Sequence, residues 1–83
     1  MSRYRRPRPH RLAKKLRQVR LKLQLTQEEM VKELGVNYVR QGNISEYERG
    51  LREPPYPVLL KYAKLVGVST DVLIDDSLVW PTD

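Results

Sequence analysis

Between Thr26 and Gly35 the chain is locally constrained to one short helix. Thr26-Gln-Glu-Glu29 has the form of a capping box. The threonine hydroxyl can accept from the amide of the third helical residue, whose carboxylate can return to the threonine amide. Glu28 and Glu29 also place negative charge where the helix dipole favours it. Met30, Val31 and Leu34 form an apolar stripe, and Gly35 is placed to end the helix in the left-handed conformation. A helix over about 26–34 follows, too short to stand alone and therefore dependent on packed neighbours.

Those neighbours are also helical in pattern. Leu12, Leu16, Val19 and Leu23 fall on one side of a helix, with Arg11, Lys14, Lys15, Arg17 and Lys22 on the others. Asn43-Ile-Ser-Glu46 is a second possible capping box, with Ile44 and Tyr47 facing inward, Ser45, Glu46 and Arg49 outward, and Gly50 as terminator. A third helix over about 42–49 follows. Pro54 and Pro55 break the chain, and Pro57 suits the first turn of a fourth helix running to Val66. Its expected stripe is Leu59, Leu60, Ala63 and Val66, and Gly67 ends it. Ser69 or Thr70 caps a fifth helix holding Val72, Leu73 and Ile74. Leu78 to Pro81 forms a tail in which Trp80 is expected to anchor by packing. Gly42 is the one glycine of four not placed just past a helix end. It serves either close backbone approach or a turn with positive φ.

Eighty-three residues hold one domain, divided here into a basic arm at 1–10, a helical domain at 11–76 and a tail at 77–83. A regulated response would then be expected to need a partner protein, or dimerisation through helix five and the Leu78–Trp80 tail. The net charge of +6 is unevenly spread. Residues 1–27 carry ten Lys or Arg and no acid, whereas residues 28–83 carry six Lys or Arg and ten acids. A basic first third on an acidic body points to a polyanion-facing surface. Arg3, Arg5, Arg6 and Arg8 alternate with prolines in a stretch expected to be disordered. The chain has no cysteine, which excludes disulfides, thiolate zinc sites and thiol catalysis. Its single histidine, His10, lies at the arm's end. No metal-ligand spacing, phosphate loop or nucleophile–base pair appears, and Asp75-Asp76 reads as solvated. No apolar run approaches the roughly 18–20 residues of a membrane span. The expectation is a cytoplasmic, non-enzymatic protein with no cofactor, metal or small-molecule substrate.

From Leu12 to Asp75 the chain resembles the XRE-type helix-turn-helix family of lambdoid phage repressors and Cro. The residues that carry the resemblance are Leu16-Arg-x-x-Arg20, Leu25-Thr-Gln-Glu-Glu29, Leu34-Gly-Val36, Ile44-Ser-x-Tyr-Glu-Arg-Gly50, Pro54, Leu59-Leu-Lys-x-Ala-Lys64 and Gly67-Val-Ser69. The resemblance implies an all-α, five-helix repressor-like domain whose third helix enters the major groove of double-stranded DNA. It implies base contacts from Gln41 and Glu46, with Gly42 at a base-reading position and Asn43 and Ser45 close by. Gln and Glu suit adenine and the cytosine amino group respectively. It places Gln27 on a phosphate at the start of helix two, and Arg49 and Arg52 on the backbone after helix three. Ser45 and Arg40 join the backbone candidates. Arg20 and Glu48 match a family pair that joins helices one and three. Physically, a carboxylate on the inward side needs such a partner.

The seven residues between Val36 and Ile44 exceed the family's usual connection. They either lengthen the turn or extend the front of helix three. For Asn43 and Glu46, capping competes with base reading. The arginines of the arm would enter a minor groove or act as a purely electrostatic tail. The function implied is a sequence-specific transcriptional regulator, in particular a repressor. A homodimer or a partner protein would join through helix five and the tail. A protein-interaction module of antitoxin or co-activator type, or nonspecific nucleic-acid binding through the arm, stay open as alternatives.

Overall fold

A computed structural model describes residues 10–81. Five helices follow in order: α1 Leu12–Lys22, α2 Gln27–Leu34, α3 Gln41–Glu48, α4 Tyr56–Leu65 and α5 Thr70–Ile74. No strand occurs among the described residues, and none of their helices is long and apolar enough to cross a membrane. The capping box of α2 forms in both directions: Glu29 N–H donates to Thr26 Oγ1 at 3.1 Å and Thr26 N–H to Glu29 Oε1 at 2.8 Å. Gly35 closes the helix at φ 67°. Met30 and Leu34 are fully buried against Leu16 and Val19 of α1, Ile44 of α3 and Val58 of α4 in one core.

Two helices differ from the sequence expectation. In α4 the buried stripe is Val58, Leu59, Tyr62 and Ala63, whereas Leu60 is half-buried and Val66 lies past the helix end. This segment is apolar on most sides, so its inward side is chosen by packing on α5, α1 and α2 rather than by its own periodicity. In α3 the first helical residue is Gln41 and the N-cap is Arg40, so Asn43 does not begin the helix. Asn43 Oδ1 accepts the Arg40 amide at 2.9 Å, the return half of a capping interaction. An asparagine can serve either end of that exchange, and here it is the third helical residue. The long connection is therefore a longer turn and not a longer helix. Val39, only 3% exposed, pins that turn to the core beside an exposed Tyr38.

The ends of the domain are clasped together. Lys15, expected on the solvent side, is 2% exposed. Its ammonium donates to the carbonyls of Val72 at 2.8 Å, Asp75 at 3.0 Å and Leu78 at 2.6 Å, which uses all three donors. A cation thus sits where α5 ends and its carbonyls converge. Burial lowers the Lys15 pKa, with Asp76 opposing the shift. In the opposite direction Asp76, expected to be merely solvated, accepts the amides of His10 at 2.8 Å and Arg11 at 3.0 Å at the start of α1. Those bonds hold its carboxyl below the usual carboxylate range. Trp80 packs half-buried against the core, as an anchor should.

Tyr62 is fully buried, and its hydroxyl has no hydrogen-bond partner among the described residues. Burial pushes its ionisation far up. A buried donor left unpaired costs about 1–3 kcal/mol. Tyr62→Phe is therefore expected to stabilise the domain by about 1 kcal/mol in urea unfolding. A drop in stability would show that the hydroxyl is satisfied.

Candidate nucleic-acid interface

Successive residues of α3 advance by about 100° around its axis. Ile44 and Tyr47 are buried and Glu48 turns toward α1, so Gly42, Ser45, Glu46 and Arg49 are left on the outer side. Gln41 borders that side and is exposed, as are Gly42 and Arg49, whereas Asn43, Ser45 and Glu46 are half-buried.

A chain of polar contacts ties the first residue of α3 to the first residue of α2. Gln41 Nε2 donates to Gln27 Oε1 at 3.4 Å, and Gln27 Nε2 donates to Glu48 Oε1 at 3.3 Å. Glu48 takes two further bonds from Arg20, Nε to Oε2 at 2.6 Å and Nη2 to Oε1 at 2.9 Å. The Arg20 Nη1 goes to the Leu25 carbonyl at 2.9 Å. Arg20 and Glu48 side chains are 12% and 4% exposed. Donating to the Glu48 carboxylate raises the pKa of the guanidinium. The fork of Arg20 thus fixes the end of α3 on α1, and the two glutamines bring the N-termini of α2 and α3 side by side. Both are helix ends with amides that favour anions.

The remaining candidates take up local partners. Arg52 Nε donates to Glu46 Oε1 at 2.9 Å, in an exposed pair. Arg49 Nε donates to Ser45 Oγ at 3.2 Å and lies back along the helix. Arg40 is exposed at the N-cap. Arg3, Arg5, Arg6 and Arg8 lie outside the described residues. No group of acids and histidines able to hold a metal ion occurs among the described residues. Sequence reasoning did not single out Tyr38, which is 53% exposed in the turn that leads into α3. It stands beside the buried Val39, and no periodicity in the connection signals either.

A capped short helix, a turn, and a second helix with its polar side outward define a helix-turn-helix domain. The profile of a family described as a helix-turn-helix domain matches residues 13–77. The HTH-type transcriptional regulator ImmR of Bacillus subtilis (strain 168) is 40% identical over 63 residues, covering 76% of this chain and 47% of that protein. The chain therefore spans about half the length of this curated relative. Among solved structures, the P22 c2 repressor protein in complex with a synthetic operator superposes with a TM-score of 0.68 at 31% identity. The match covers 78% of this chain and 94% of that one. The chain belongs to the XRE-type helix-turn-helix family, with the all-α fold of the repressors.

Proposed function

We propose that this chain is a sequence-specific DNA-binding transcriptional regulator, acting as a repressor, which places α3 in the major groove of its operator. The observation that carries the reading is the Gln41–Gln27–Glu48–Arg20 chain, which locks two helix N-termini and one polar helix side into a single surface. The reading is supported by ImmR being a transcriptional regulator and by the P22 c2 repressor having been solved with an operator. The activity is binding and not catalysis.

In this reading Gln41, Asn43 and Glu46 meet base edges. Asn43 spends its carbonyl on the Arg40 amide and keeps its NH2 as a donor. Arg52 holds Glu46 in position. Gln27, Arg40, Ser45, Arg49 and Arg52 contact the sugar-phosphate backbone, which orients the domain without reading sequence. Arg3, Arg5, Arg6 and Arg8 add phosphate neutralisation or minor-groove contact. The apolar surface of Ile74, Leu78 and Val79, exposed at the end of α5 and in the tail, serves a second copy on a two-fold operator or a partner protein.

Selection of sites from a random duplex pool, with and without residues 1–10, tests the proposal. A defined motif that survives the truncation is expected, and binding without a motif would overturn it. On the selected duplex, Gln41→Ala is expected to lose roughly 1–3 kcal/mol of discrimination at one base position. Truncation of the arm is expected to flatten the salt dependence by about 0.9 in log–log slope for each phosphate that the arm neutralises.

A further inference from the structure

We infer that Gly42 is a specificity-determining residue of α3. Its missing side chain lets the first turn of the helix approach the floor of the major groove, so that the facing base pair meets main chain. The inference rests on the DNA-reading function proposed above. Three of the four glycines are demanded by the fold, because Gly35, Gly50 and Gly67 have φ of 67°, 75° and 71° after α2, α3 and α4. Gly42 shares none of this. It lies inside α3, is absent from the positive-φ positions, and is exposed. A Cβ built on it would meet nothing within 4 Å.

Neither the backbone nor the packing of this chain calls for glycine there. Helix formation does not call for it either, since glycine loses more conformational freedom on folding than any other residue. The position is also central to the outer side of α3, between Gln41 and the Ser45–Glu46 pair. A glycine that is costly to the helix and unneeded by the core fits a demand from outside the chain, namely room for a closely approaching backbone. Its amide is the second of the helix, ahead of the Asn43 and Ile44 amides that reach the Arg40 carbonyl at 2.9 and 3.2 Å, and a position so near the start has no acceptor one turn back within the helix. At short range such a donor suits the purine N7 or O6 acceptors of the major groove.

The test compares the wild type with Gly42→Ala and Gly42→Gln in the full chain, on a duplex selected by the wild type. Gly42→Ala is expected to raise the thermal midpoint by about 2–6 °C. The same variant should bind the selected duplex at least tenfold more weakly, with the salt slope unchanged because the number of neutralised phosphates stays the same. Gly42→Gln is expected to change the selected base at one position of each half-site. A stabilised Gly42→Ala that binds with undiminished affinity would overturn the inference while leaving the DNA-reading function intact. A wild type that selects no motif would overturn the function beneath it, and that result is read before any variant is made.

Discussion

Glu48→Ala is expected to cost about 3–5 kcal/mol of folding stability, the usual consequence of breaking a buried ion pair from one side. Glu48 is the more buried partner, and it accepts both forks of Arg20 and the amide of Gln27. Its removal strands a guanidinium that keeps one acceptor, the Leu25 carbonyl. Domains of this size have about 5–15 kcal/mol in total, so the variant loses a large part of its margin. Chemical unfolding followed by circular dichroism reads the loss. The double variant Arg20→Leu, Glu48→Leu should recover most of it, because an apolar pair carries no desolvation penalty. A double variant as unstable as the single one would show that the pair's geometry, and not its charge balance, holds α3 to α1. DNA affinity should not return in the double variant, since Gln27 and Gln41 lose the carboxylate that orders them.

Lys15→Ala is expected to cost about 2–4 kcal/mol, because hydrogen bonds to charged groups contribute more than neutral ones and three carbonyls lose their donor together. The tail and the end of α5 should loosen from α1 in that variant, which amide hydrogen exchange over residues 72–78 would report as reduced protection. Lys15→Met keeps the packing of the stem and removes only the ammonium. It is therefore expected to lie between the wild type and alanine. If Lys15→Met equals the wild type, the three bonds contribute nothing net, and burial of the stem explains the position.

The two residues differ in how far the sequence discloses them. Glu48 falls on the inward side of a helix, where an uncompensated carboxylate would be costly, and the family pattern supplies Arg20 as its partner. Lys15 shares the same kind of helix with other cations, and its acceptors are backbone carbonyls 57 to 63 residues away. Every residue has a carbonyl, so no residue type announces the site. Locality explains the helices too. The start of α2 is written in a threonine and a glutamate three residues apart, and the structure reproduces it. The start of α3 depends on Asn43, a residue able to cap from two positions, and it stands as the third helical residue, with its Oδ1 on the Arg40 amide. The outer side of α3 was legible from Ile44 and Tyr47 as its inward residues. The local partners of Glu46 and Arg49 were not, since they depend on how the loop after α3 returns across the helix.

In the proposed function α3, framed by the N-terminus of α2, is the surface that meets DNA. Amide chemical-shift mapping of the full chain against its selected duplex, at salt high enough to suppress nonspecific binding, tests this most directly. The largest changes are expected at Gln27 to Glu29 and from Tyr38 through Arg52. Changes confined to α4, α5 and the tail, with α3 unmoved, would show that DNA is met by another surface.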